Sequence, residues 1–249
     1  LDGTFPNHEA NPIDPKNLVD LQKLVKKKGA DIGLAFDGDA DRCFIVDENG
    51  ELVTPSALTA LIAKRELSKN PGSSVIYNLI SSKAVPEVII ECGGVPLRSR
   101  VGHSFIKQMM ADHQAIFGGE HSGHFYFKDF WRADSGMLAA LHAIAALLED
   151  GRSLSTILQP FNRYFLSGEI NTKVNDQQGA LAAIRSHFAA STEGCEFDNL
   201  DGLTVSASKW WFNVRPSNTE PLLRLNAEAK TVKDMVAIRD EVLKFIKSR

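Results

Sequence analysis

Three short stretches that read as strands, at 75–79, 95–101 and 115–117, are separated by stretches that read as helices at 84–92 and 104–113. No other feature constrains the fold as strongly. Two parallel strands cannot be joined by a tight turn; they need a crossover, usually a helix, that packs back on the sheet. The spacing therefore predicts βαβ units, with a parallel sheet covered by helices. Thr54-Pro55 opens a further helix that runs to Leu67, and the apolar stretch 134–149 predicts a long one that stops at Gly151.

The flanks carry different signals. Asp14-Pro15 starts a helix with Leu18, Leu21, Leu24 and Val25 at helical spacing. Ile32, Leu34 and Phe36 alternate as in a strand, and 43–47 and 51–53 flank Asn49-Gly50, a hairpin signal. Beyond a helical stretch at 154–158 the texture changes. Residues 160–168 read as a connector. Strands are predicted at 169–174, 203–207 and 222–227, and helices at 179–189 and 232–247. The last helix places Met235, Ile238, Val242 and Ile246 on one face. The expected class is α/β, with βαβ mixed-sheet domains followed by a smaller α+β C-terminal domain. The boundaries are placed at 1–50, 51–158 and 159–249.

Composition excludes several classes of function. Lys and Arg number 28 against 31 Asp and Glu, a net charge of −3, which argues against a nucleic-acid partner. The apolar run 137–148, interrupted by His142, is too short to span a bilayer, so no membrane partner is expected. Cys43, Cys92 and Cys195 form no CxxC pair, which points to a reducing, cytoplasmic setting without a zinc site. The chain opens on Leu1 with no signal peptide, and a fragment of a longer protein is expected.

Four loops hold more polar residues than turn closure requires. Asp37-Gly38-Asp39-Ala40-Asp41-Arg42 follows an apolar strand. Acids at alternate positions of extended chain project to one side and repel unless a cation sits among them. A hard divalent ion such as Mg²⁺ takes such oxygens, often together with phosphate, and Arg42 adds a phosphate-directed fork. A solvated acidic turn is the alternative. Gly102-His103-Ser104 precedes a helix that contains Lys107; it suits an anion, with His103 as contact or proton carrier. Alternatively Ser104 is a plain N-cap beside a surface histidine.

Gly118-Gly119-Glu120-His121-Ser122-Gly123-His124 combines glycines that admit close approach with side chains suited to sugar hydroxyls. A metal on His121 and His124, or a tight connecting loop, are the competing readings. Arg215-Pro216-Ser217-Asn218-Thr219-Glu220-Pro221 offers a cation, hydroxyls, an amide and backbone N–H groups for a phosphate. It lacks the spacing of a nucleotide P-loop, and an ordinary Asn/Ser turn is its bland counterpart. Together the loops suggest a metal, a polyhydroxylated ligand and a phosphate.

In this order the four loops resemble the motifs of the α-D-phosphohexomutases, closest to the bacterial phosphomannomutase/phosphoglucomutase group. Gly3-Thr4-Phe5-Pro6-Asn7-His8 and Phe127-Lys128 extend the likeness over nearly the whole chain. The resemblance implies Mg²⁺ on Asp37, Asp39 and Asp41, with Arg42 near the transferring phosphoryl group and His103 in the active-site cleft. It implies that Glu120, Ser122 and His124 hold the sugar, and that Arg215, Ser217, Asn218 and Thr219 grip the non-reacting phosphate. It implies residues 1–50 as part of a second, metal-binding domain, 51–158 as a third with the sugar loop, and 159–249 as a phosphate-binding domain. The implied reaction interconverts hexose 6-phosphate and hexose 1-phosphate, mannose before glucose, through a phosphoserine and a bisphosphate.

Two departures qualify the likeness. The family's Thr-Ala-Ser-His-Asn-Pro type motif does not occur in the chain, so a missing N-terminal domain of the same protein is the expected partner and the chain is expected to be inactive alone. Ile80 stands where some relatives have a lysine, which leaves Lys83 or His103 to carry the proton. The alternatives are a phosphatase with an Asp nucleophile in the acidic loop, a non-catalytic sugar-phosphate binding module, or a phosphoglucosamine mutase, whose sugar loop usually differs at the position of His121.

Overall fold

The computed structural model describes residues 2–191, 194–217 and 220–248. The chain divides into two units, Leu1–Asn162 and Arg163–Arg249. In the first, a 3-10 turn, Pro15–Leu18, leads into α1, Val19–Lys28. Asp14 accepts from the Lys16 N–H at 3.1 Å, as the Asp-Pro signal predicts. Strands β1 (Ile32–Phe36), β2 (Cys43–Asp47) and β3 (Leu52–Val53) form an antiparallel sheet in that order. Asp47 Oδ1 holds the hairpin turn by accepting from the N–H groups of Asn49 and Glu51, each at 2.9 Å.

The second sheet of this unit contains the predicted parallel core. Its strands are β4 (Ser74–Asn78), β5 (Val95–Ser99), β6 (Phe117–Gly119), β7 (Phe125–Phe127) and β8 (Ala133–Asp134), in the order β5-β4-β6-β7-β8. Only the β4 pairings with β5 and β6 are parallel; β7 and β8 extend the sheet antiparallel. Helices α2 (Pro55–Lys69), α3 (Ala84–Glu91), α4 (His103–His113), α5 (Gly136–Asp150) and α6 (Leu154–Leu158) cover it.

Strand alternation sorts these helices onto the two faces. Val75, Phe117, Phe125 and Phe127 join one apolar cluster with residues of α2, α3, α5 and α6. Ile76 and Tyr126, one residue out of phase, join Ile106 and Met110 of α4 in another. Ala139, Ala143 and Ala146 give α5 a stripe of small buried side chains, so it packs closely on α2. Thr54 caps α2 and Ser135 caps α5, each accepting from the N–H three residues on.

In the second unit, β9 (Phe165–Leu166), β10 (Ile170–Lys173), β11 (Glu196–Asp198), β12 (Leu203–Ser206), β13 (Trp210–Pro216) and β14 (Leu222–Ala229) form one antiparallel sheet. Its main path runs β10-β14-β13-β12-β11, and β9 also pairs with β14. Helices α7 (Gln177–Ser191) and α8 (Val232–Lys247) pack on it around a core that includes Phe188, Phe212, Leu225 and Val242.

The structure corrects several sequence expectations. The third parallel strand is Phe117–Gly119 rather than 115–117, because pairing with β4 and β7 outweighs the weak strand propensity of glycine. Residues 134–135 are not helical: Asp134 pairs in β8 and Ser135 is the cap. The 160–168 connector contains a 3-10 turn, Gln159–Phe161, and the short strand β9. Besides β9, four further strands, β7, β8, β11 and β13, were not predicted. Among the described residues no helix is long and apolar enough to cross a membrane.

Phe212 is fully buried, 4.9 Å from the Phe188 ring and 5.9 Å from the Trp210 ring. Phe212→Ala should cost the second unit about 3–5 kcal/mol in urea unfolding. A loss below about 1 kcal/mol would show that its aromatic neighbours close the gap.

Candidate functional site

Loops that leave the carboxyl ends of parallel strands are where α/β sheets gather ligands. In the first unit β4 feeds residues 79–83, β5 feeds 100–102 and β6 feeds 120–124. Ile80 is buried, Lys83 is half-buried just before α3, and Ser82 donates its N–H to Ser56 Oγ of α2 at 3.0 Å. His103, exposed, is the first residue of α4, whose cap is Gly102; Ser104 lies inside the helix and is not the N-cap.

The acidic loop is not extended chain. Ala40 takes a left-handed conformation, φ 61°, and the Ala40 N–H donates to the Asp37 carbonyl at 3.3 Å. A turn, rather than strand alternation, brings the carboxylates together: ligand atoms of Asp37, Asp39 and Asp41 lie within 4.8 Å of one another. Asp37 accepts from the Arg42 backbone N–H at 3.1 Å and from Arg42 Nε at 2.6 Å. Burial pushes the Asp37 carboxyl up, but the Arg42 contacts outweigh it and leave it below the usual range. Burial also pushes Asp41 up, and with Asp37, Asp39 and Asp134 nearby it stays above its ordinary value despite His124. A divalent cation among these oxygens would relieve that repulsion, so the donor set fits a hard metal ion.

The loop 120–124 lies directly against the acidic loop. Arg42 and His124 form an isolated antiparallel bridge, and the Cys43 N–H donates to the Gly123 carbonyl at 3.1 Å. Gly123 has φ 89°, and a Cβ there would fall 2.5 Å from the Phe44 ring, so only glycine fits. Gly136, at the start of α5, closes the other side: a Cβ would lie 2.7 Å from the Arg42 carbonyl oxygen.

Glu120 is 2% exposed. Tyr126 donates its hydroxyl to Glu120 Oε1 at 2.6 Å, and the Gly102 N–H reaches Oε2 at 3.3 Å. This links the start of α4 to the 120–124 loop. Burial, then the Glu120 charge, drive the Tyr126 hydroxyl far above its usual value, so it stays a donor. Ser122 Oγ lies 2.8 Å from His124 Nδ1. His124 Nε2 is 3.5 Å from Asp41 and 3.9 Å from Asp134, and Lys107 Nζ is 2.9 Å from Asp134. Asp41, His124 and Asp134 thus form a second group whose ligand atoms share a 4.8 Å sphere.

In the second unit Arg215 lies near the end of β13. It donates through Nη2 to Glu169 Oε2 at 3.0 Å, and Arg224 donates through Nη1 to Glu169 Oε1 at 2.9 Å. The Ser217 N–H donates to the Leu222 carbonyl at 2.9 Å, and Gln177 Nε2 braces that carbonyl at 2.9 Å. The predicted contacts Asn218 and Thr219 lie outside the described residues.

Tyr126, Asp134, Glu169 and Arg224 were not singled out from the sequence. Tyr126 carried a local signal, a hydroxyl set between Phe125 and Phe127 on the opposite strand face. Asp134 preceded a good cap, Ser135. Glu169 and Arg224 carried none, because their partners are distant in the chain.

Family models described as phosphoglucomutase/phosphomannomutase alpha/beta/alpha domain II, alpha/beta/alpha domain III and C-terminal domain match residues 1–50, 54–164 and 169–245. A phosphomannomutase of Methanocaldococcus jannaschii is 43% identical over 98% of this chain and 54% of its own. One from Salmonella montevideo is 40% identical over 99% of this chain and 54% of its own. The chain thus spans about half the length of the curated relatives it matches. The crystal structure of a phosphoglucomutase/phosphomannomutase family protein from Burkholderia thailandensis superposes with a TM-score of 0.87. It is 32% identical, covering all of this chain and 53% of the other.

Glu169 supplies a pH test. Burial raises its carboxyl, but Arg215 and Arg224 more than compensate and hold it below the usual carboxylate range. Its contribution to stability is therefore complete above the unfolded value of about 4.3 and is lost as pH falls through the lower folded value. Glu169→Gln should destabilise the second unit at pH 7 by about 1–2 kcal/mol, allowing for solvent screening. The difference from wild type should shrink as the medium is acidified below pH of about 4. Denaturant titrations across that range read it; a pH-independent difference would assign the effect to packing alone.

Proposed function

Because the chain belongs to the phosphoglucomutase/phosphomannomutase family, we propose that it serves a hexose-phosphate mutase, with mannose 6-phosphate and mannose 1-phosphate as its substrates. The observation that carries this reading is the backbone bridge between Arg42 and His124, which sets a three-carboxylate loop edge to edge with a loop of sugar-compatible side chains. The names of relatives 40–43% identical over nearly the whole chain support mannose.

Phosphoryl transfer is mainly a problem of positioning and of placing countercharge. Asp37, Asp39 and Asp41 are assigned to Mg²⁺, which when bound neutralises charge on the transferring group. Arg42, held against Asp37 and 3.4 Å from Asn11 Oδ1, stands beside them as a fixed cation. Glu120 retains unused lone pairs after bonding Tyr126 and Gly102, so with Ser122 and His124 it accepts or donates to the hydroxyls that mark one sugar from another. His103 is assigned the proton of the accepting hydroxyl, because Ile80 offers none. Arg215 and Ser217, with Asn218 and Thr219, are assigned the phosphate that does not react.

The test is a coupled assay of the intact protein with mannose 1-phosphate and with glucose 1-phosphate. Turnover should require Mg²⁺ and favour mannose. Asp39→Asn should lower kcat by about 10²-fold or more, as loss of a charge-stabilising group does. Near-normal turnover of that variant at low Mg²⁺ would refute the metal assignment, and no turnover of either sugar by the intact protein would refute the mutase reading.

A further inference from the structure

Of the side chains assigned to the sugar, Ser122 and His124 are half-buried, but Glu120 is 2% exposed. A carboxylate so covered needs protein donors in place of water. Among the described residues two neutral groups supply them. Tyr126 gives its hydroxyl to Oε1 at 2.6 Å, within the range of a charge-assisted O–H···O⁻ bond, whereas the Gly102 N–H reaches Oε2 at 3.3 Å. Tyr126 is therefore the stronger hold.

The backbone of Glu120 is fixed separately. Its N–H donates to the His124 carbonyl at 2.9 Å, and its carbonyl accepts from the Gly123 N–H at 3.1 Å. That leaves the side-chain torsions to set, and a glutamate free to sample them weakens binding when a ligand must order it. Tyr126 removes that freedom from a rigid base. It lies in the middle of β7, in register with Gly118 on one side and Asp134 on the other. Its ring is fully buried with Ile76, Ile106 and Met110. Lys107 Nζ, tied to Asp134 at 2.9 Å, stands 5.8 Å from the ring centroid. With so little of Glu120 reaching solvent, a ligand meets one edge of the carboxylate, and the tyrosine decides which.

We propose that Tyr126 is a positioning residue: it orients the Glu120 carboxylate toward the sugar hydroxyls and acts on the ligand only through it. The inference rests on the reading of Glu120 as a sugar contact. Hydroxyl contacts made alike in the bound substrate and in the transition state govern KM rather than kcat, so KM is where loss of the tyrosine hydroxyl shows.

Steady-state kinetics of the intact protein with mannose 1-phosphate test it, on wild type, Tyr126→Phe, Glu120→Ala and the double variant. Phenylalanine keeps the buried ring, and thermal melting of each variant verifies folding. Tyr126→Phe should raise KM by roughly tenfold while kcat changes by less than about threefold. The double variant should bind no more weakly than Glu120→Ala alone, because the hydroxyl then has nothing left to orient. It also buries no carboxylate, so that comparison stands even where Tyr126→Phe alone melts early. Losses that multiply in the double variant, or an unchanged KM in Tyr126→Phe beside a raised KM in Glu120→Ala, would make Tyr126 a packing residue and overturn the inference. If Glu120→Ala binds and turns over like wild type, the sugar reading of Glu120 fails, and the inference falls with it.

Discussion

The backbone at Arg42 is clamped from three directions, and the geometry of the first unit's site follows from that clamp. Its N–H is held by Asp37, its strand edge bridges His124, and its carbonyl lies so close to Gly136 that no Cβ fits between them. The acidic loop, the 120–124 loop and the start of α5 therefore cannot shift independently. Ala40 is held in a left-handed conformation within this clamp, a strain of about 1–2 kcal/mol for an L-residue. The strain persists because the surrounding bonds over-determine the turn.

The same clamp divides the three carboxylates by environment. Asp37 is committed to Arg42 and is held in its charged form. Asp39 is exposed. Asp41 faces other acids and lies above its ordinary value. One anion is already compensated from within the chain, so a cation placed in the loop would meet the residual charge of the other two. Arg42 thus sets both the shape of the loop and how much positive charge it still demands.

Local signals and non-local pairing explain what the sequence made legible. Thr54-Pro55, Asn49-Gly50 and the stretches 154–158 and 232–247 matched because caps, turn residues and periodicity act over a few residues. Strand β13 escaped notice because Trp211, Phe212, Asn213 and Val214 are all buried, so the polar alternation that marks a strand is absent. The double glycine of β6 looked like a loop, and only its neighbours make it a strand. In the site, the spacing of Asp37, Asp39 and Asp41 was legible but their geometry was not, since a turn rather than an extended segment gathers them. Glu169 meets Arg215 across a sheet, and no local pattern announces such a contact.

Both units thus meet the problem of concentrated like charge with an internal partner. Asp37 is compensated by Arg42 in one, and Arg215 and Arg224 by Glu169 in the other. An unpaired, partly buried charge cluster would oppose folding, since desolvation and repulsion act before any ligand arrives. Partial compensation lowers that penalty yet leaves a surplus of fixed sign, negative in the acidic loop and positive at the arginine pair. A ligand then adds to a framework whose donors and acceptors are already oriented, and less ordering is needed on binding. The arrangement also predicts asymmetry among substitutions. Removing an internal partner such as Glu169 perturbs folding, whereas removing an exposed, uncommitted charge such as Asp39 leaves the fold intact and acts on the ligand alone.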